Sequence, residues 1–201
     1  MIVVGVTGGL GTGKSAVTAM LGRLGARTIS ADALVHDALR RGTSTTRAIR
    51  RAFGPSVIAA DGSVNRPVLA AVVFSDRRRL QRLCRIVHPV VIRRMRATIH
   101  RHRRRAPRGV VAVEIPLLVE AKLTHTVDVI VVVTATRAQQ VSRVRHATGW
   151  PVAAIRRRMA AQLPLRVKVR AADVVIRNTG TWSQTQRQVR DLWKTLKAPP
   201  K

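Results

Sequence analysis

The chain is 201 residues long, enough for one domain with a sizeable core, and its single cysteine, Cys84, excludes an intramolecular disulfide. Lysine and arginine number 38 against 9 aspartate and glutamate, and the resulting charge of +29 attracts polyanions of every kind without choosing among them. No apolar run is long enough to span a bilayer, and the first apolar stretch enters a glycine loop without a basic leader or cleavage site, so a cytoplasmic protein is expected.

In chain order, the first predicted element is a buried strand over 2–6. Behind it stands Gly8-Gly9-Leu10-Gly11-Thr12-Gly13-Lys14-Ser15, a complete G-x-x-x-x-G-K-S phosphate-binding loop. A helix over 16–24 follows, with Val17, Met20, Leu21 and Leu24 at helical spacing. Strand, glycine turn and helix are what such a loop needs to aim successive backbone N–H groups at one point. Glycine lets the backbone approach phosphates closely and adopt positive φ. Lys14 supplies a point charge for the β- and γ-phosphates, and the Ser15 hydroxyl is placed to ligate Mg²⁺.

A second strand over 26–29 leads to Asp32. The C-terminal ends of parallel strands share the edge that holds the phosphate loop, so Asp32 is expected at that edge. An aspartate there can deprotonate an acceptor hydroxyl; alternatively, Asp32 or Ser30 caps the helix that follows. The next eighty or so residues show helical periodicity, with turn signals at Gly42, Gly54-Pro55 and Asp61-Gly62. That is too long for a connection, and it predicts a helical insertion over 34–107 at the mouth of the sheet. Within it, Cys84 lies at helical spacing from Leu80, Val87 and His88, as a buried or half-buried structural thiol would. The block Arg101-His102-Arg103-Arg104-Arg105 is expected to be a solvated helix end, binding nucleic acid only weakly and non-specifically.

A third strand over 110–113 ends at Glu114, where a carboxylate can hold a metal-bound water or substrate, or be satisfied by backbone amides. The fourth strand, over 127–133, is wholly apolar from Val129 to Val133 and must lie inside the sheet, because a one-sided strand would alternate. A basic helical segment over 137–170 separates it from a fifth strand over 173–176. Glu120 is expected to pair with an arginine or serve structure alone, and Asp173 to fix a turn. Asp37, Asp61, Asp76, Asp128 and Asp191 suit caps, turns or surface, and His36 and His88 are structural residues or substrate contacts. No Cys/His cluster has zinc spacing, and the absence of tyrosine leaves no aromatic platform for single-stranded bases. The tail over 198–201 is expected to fray. The expected fold class is α/β, a P-loop nucleoside-triphosphate-binding fold with a five-stranded parallel sheet flanked by helices.

The ordered set of motifs resembles the dephospho-CoA kinase family from residue 4 to about 193. The likeness is carried by the phosphate loop, Ala31-Asp32 with His36, Phe53-Gly54, Asn65-Arg66 with Leu69 and Phe74, His88-Pro89, and Ile115-Pro116-Leu117-Leu118-Val119-Glu120. Gln140 with Arg143, Gln162 with Lys168, and Ala172-Asp173-Val174-Val175-Ile176 with Asn178 and Gly180 complete it. The resemblance implies transfer of the ATP γ-phosphate to the ribose 3′-hydroxyl of dephospho-CoA, the last step of coenzyme A biosynthesis, with Mg²⁺. It implies a single kinase domain with a core over 1–33, 108–136 and 171–197, a substrate-binding insertion over 34–107 and a lid over 137–170. Asp32 would be the base, with Lys14 and Arg143 as its catalytic partners. Gly9, Gly11, Thr12, Gly13, Lys14, Ser15 and Ala16 would hold the nucleotide, Ser15 the metal, and Asp32, His88, Glu114 and Leu117 the acceptor. Ser30, Glu114, Val119 and Ala147 depart from the family pattern, which favours Asp, Asp, Phe and Arg there. A monomer is expected. The alternatives are an RNA-associated basic P-loop NTPase and a kinase for another nucleoside-like hydroxyl.

Overall fold

A computed structural model describes residues 1–74 and 76–198, without the side chains of Phe74 and Arg77. The tail residues 199–201, expected to fray, lie outside them. The elements in chain order are β1 (Ile2–Gly8), α1 (Lys14–Arg23), β2 (Arg27–Ser30), α2 (Ala31–Ala38), α3 (Ser44–Phe53), α4 (Arg66–Phe74), α5 (Arg77–Arg105), β3 (Val110–Glu114), β4 (Val129–Thr134), α6 (Arg137–Thr148), α7 (Val152–Ala160), α8 (Leu165–Arg170), β5 (Val174–Arg177) and α9 (Trp182–Lys197). Two compact units result, one formed by residues 1–30 and 102–201 and the other by residues 31–101.

The first unit is built on a five-stranded, wholly parallel sheet in the order β2-β3-β1-β4-β5. The apolar β4 lies between β1 and β5, so both its edges are paired, while β1 takes the middle position. Alternation along the strands divides the core. Val4, Val6, Val110, Ala112, Val131, Val133 and Ile176 cluster with Val17, Met20 and Leu21 of α1 and Val189, Leu192 and Leu196 of α9. The residues between them, Val3, Val111, Val113 and Val132, are buried as well. Burial on both faces explains why these strands are runs of valine rather than apolar/polar alternations. Two aspartates placed by sequence at turns or surface are used as ladder extensions: Asp128 accepts from Val3 N–H and Asp173 from Ile130 N–H, each at 2.7 Å. Capping boxes at Thr136/Gln139 and Thr181/Gln184 start α6 and α9.

The second unit is helical. Thr43 caps α3 by accepting from Thr46 N–H at 3.0 Å, and an Ile58/Val64 bridge closes the turn before α4. Ile49, Val57, Val64, Leu69 and Val73 are among its buried residues, with Val87, Val91, Met95 and Ile99 of α5. Cys84 is half-buried on α5, and burial pushes its thiol up, which disfavours the reactive thiolate. Among the described residues no helix is long and apolar enough to cross a membrane.

Candidate active site

The phosphate loop joins β1 to α1. The helix begins at Lys14, two residues earlier than its apolar periodicity suggests, so Lys14, Ser15 and Ala16 form its first turn. Gly13 precedes it in the left-handed region (φ 93) and no side chain caps the helix, which leaves its first N–H groups for a ligand. Gly11 is also left-handed (φ 73), and a Cβ there would come within 2.6 Å of the Gln140 carbonyl oxygen. Thr12 is fully buried and its hydroxyl donates to the Gly9 carbonyl at 2.9 Å. Lys14 Nζ donates to the same carbonyl at 2.9 Å, so its ammonium is folded back over the loop.

Side chains from distant parts of the first unit meet this loop, Glu114, Arg143 and Asn178 first among them. Ser15 Oγ donates to Glu114 Oε1 at 2.8 Å, which brings the predicted metal ligand and the strand-end carboxylate together. A hydroxyl and a carboxylate are hard oxygen donors, and such a pair fits Mg²⁺, which keeps several waters and takes few protein ligands. Arg143, on α6, donates from Nη1 to the Thr12 carbonyl at 3.4 Å and from Nη2 to the Asn178 carbonyl at 3.0 Å. Asn178 Nδ2 also donates to the Thr12 carbonyl, at 2.9 Å. Leu117, after β3, is 40% exposed, unusual for a leucine and consistent with a contact surface.

Gln140, Gln162 and Lys168 belong to the family pattern, but their roles emerge only in three dimensions. The two glutamines grip Leu10 from both sides: Gln140 Nε2 donates to its carbonyl at 2.6 Å, and its N–H donates to Gln162 Oε1 at 3.1 Å. Lys168 is completely buried, and its ammonium meets Glu120 Oε1 at 2.7 Å and the carbonyls of Pro116 and Gly8 at 3.1 and 3.3 Å. Three acceptors for three N–H bonds satisfy a charge that burial would otherwise forbid. Glu120 therefore pairs with a lysine and not with an arginine; it also accepts from Leu163 N–H at 3.2 Å. The signal for this clamp was a single lysine in a segment crowded with arginine.

The second unit carries the remaining predicted residues. Asp32 lies exposed in the first turn of α2, and its carboxylate accepts no hydrogen bond and forms no ion pair with any described residue. His36 follows one turn later, with its Nδ1 3.2 Å from Arg66 Nη1. His88 is half-buried on α5, and burial pulls its imidazole below the usual histidine value.

A family model described as dephospho-CoA kinase matches residues 2–184. The dephospho-CoA kinase of Leifsonia xyli is 38% identical over 197 residues, which cover 98% of this chain and all of that protein. That of Geobacter metallireducens is 40% identical over 194 residues, 96% of each chain. A crystal structure from Thermus thermophilus superposes with a TM-score of 0.82 at 31% identity, covering 98% of both chains. The phosphate loop, the parallel sheet and full-length likeness agree, and the chain belongs to the dephospho-CoA kinase family, ATP-dependent phosphotransferases of coenzyme A biosynthesis.

Proposed function

We propose that this chain transfers the γ-phosphoryl group of ATP to the ribose 3′-hydroxyl of dephospho-CoA, with Asp32 as base and Ser15 as the residue that would hold Mg²⁺. The observation that carries the reading is the uncapped start of α1 with Lys14, Ser15, Glu114 and Arg143 gathered on one loop. The backbone N–H groups of Gly11, Gly13, Lys14, Ser15 and Ala16 cradle phosphate oxygens, and Gly9 and Thr12 hold the loop in that shape. Lys14 leaves the Gly9 carbonyl to neutralise the β- and γ-phosphates. Ser15, with Glu114 beside it, would hold Mg²⁺, which would supply charge neutralisation to the phosphates. Glu114 orients Ser15 toward it; being one methylene longer than the family's usual aspartate, it reaches the hydroxyl directly. Arg143, now on the Thr12 and Asn178 carbonyls, turns to the phosphoryl oxygens, where fixed positive charge is most effective in the transition state.

The acceptor hydroxyl loses its proton to Asp32, a role supported by an exposed carboxylate with no ion pair among the described residues. Residues 34–107, with His88, and Leu117 after β3, bind the acceptor; residues 137–170 act as the lid. The enzyme works in the cytoplasm, where its co-substrate is, and as a monomer. The test is ADP release with dephospho-CoA against adenosine and other nucleosides, with the product checked for a 3′-phosphate. Release with a nucleoside and none with dephospho-CoA would replace the acceptor; release driven only by RNA would replace the reaction class.

A further inference from the structure

Helix α5 carries a long basic face on a different side from His88. At 3.6 residues per turn, Arg78, Arg82, Arg85, Arg93, Arg96 and His100 fall within a stripe about 80° wide and about 33 Å long. All six are exposed, and among the described residues none of them joins an ion pair with a carboxylate. No acidic residue occurs anywhere between Asp76 and Glu114 to neutralise them. Val87, Val91, Met95 and Ile99 occupy the buried side of the same helix, so the arginines are held outward. Beside the stripe, Arg51 of α3 joins Arg82 and Arg85 around a groove of about 470 Å³.

We propose that this face binds the sugar–phosphate backbone of a nucleic-acid duplex, without reading its bases. The row is interrupted at Pro89, between Arg85 and Arg93, and its reach of about 33 Å matches about ten base pairs of a duplex at 3.4 Å each. Arginine rather than lysine makes the row, and its planar fork engages phosphate oxygens in pairs. A single strand would call for a series of stacking aromatics, and beside the stripe the described residues place only one phenyl ring, Phe53 of α3, already covered by the Arg82 guanidinium 6.0 Å from its centroid. A membrane surface would call for an exposed apolar side on the helix, and the apolar side of α5 is buried. The surface is more extended than the helix-end block at 101–105, and the proposal stands apart from the kinase reading.

The test is fluorescence anisotropy of a 20-base-pair DNA duplex with the full chain at about 150 mM salt, repeated across a salt series. The variant R78Q/R82Q/R85Q/R93Q/R96Q is compared with R23Q/R27Q/R177Q/R187Q/R190Q, which removes the same charge from exposed sites of the sheet-bearing unit. The stripe variant is expected to bind at least tenfold more weakly, with the slope of log K against log[salt] less steep by about 0.9 per lost contact. The control should change less than threefold. Replacing the same five stripe arginines by lysine should preserve most of the slope, and unchanged thermal midpoints certify folding of all variants. Equal losses in stripe and control variants would overturn the proposal, because total charge alone would then explain binding. So would failure of the wild-type chain to bind, or stronger binding to vesicles containing one-third anionic lipid that depends on the same arginines.

Discussion

Ser15 and Glu114 are separated by 99 positions in the chain and by 2.8 Å in space, and that contact makes the oxygen pair suited to a magnesium ion. Lys14 sits beside it with its ammonium on the Gly9 carbonyl, a bond that a phosphate oxygen outcompetes once ATP enters. Lys14→Ala should leave a folded protein with ATP turnover reduced by about 10²-fold or more, as expected when fixed transition-state charge is removed. Near-normal turnover would take the phosphate loop out of the mechanism. Asp32 is the residue whose role is most open to test, because as a helix cap it should affect stability and as a base it should affect rate. Asp32→Asn should keep ATP affinity and the unfolding midpoint while lowering kcat by about 10²-fold. A shifted midpoint with kcat within threefold of wild type would make it a cap.

At the scale of elements, the phosphate loop is held by segments far from it in sequence. Gln140 on α6 and Gln162 after α7 fix Leu10, while Lys168 on α8 ties the end of β1 at Gly8 to Pro116 and Glu120. Three side chains of the 137–170 segment are thereby bonded to the phosphate loop and the strand that leads into it. Lys168→Met removes a buried charge and leaves Glu120 without its partner, a change that costs about 3–5 kcal/mol in comparable sites. Urea unfolding should show that loss, and in a preparation still folded at low temperature the KM for ATP should rise. Lys168→Arg should recover little, since a guanidinium does not fit an ammonium's three-acceptor cage. Wild-type stability in Lys168→Met would show that the clamp is dispensable.

At the scale of the whole molecule, most titratable groups are exposed arginines, and pH sensitivity near neutrality falls on the few buried ones. Burial holds His88 below its ordinary value, so the folded state favours the neutral ring. As pH falls through the unfolded-state value near 6.5, the unfolded chain takes up a proton that the folded chain resists, and stability declines. Above about pH 7 both states are neutral and His88 contributes no slope. The urea midpoint should therefore be lower at pH 5.5 than at pH 7.5, with His88→Gln narrowing the difference. An unchanged difference would assign the slope to other groups.

The amino-acid sequence by itself determined the parallel sheet, the phosphate loop and the family, because each is carried by local pattern: valine runs for strands buried on both faces, and glycines, lysine and serine at fixed spacing for the loop. It also placed Glu114 at a strand end, since strand ends in a parallel sheet share one edge. Tertiary structure alone decided which distant groups meet. Glu120 found Lys168 among a surplus of arginines, Asp128 and Asp173 became backbone acceptors, and two glutamines closed on Leu10. Such pairings depend on strand order and on the register of α6 and α8 against the loop, and neither leaves a periodic trace in the chain.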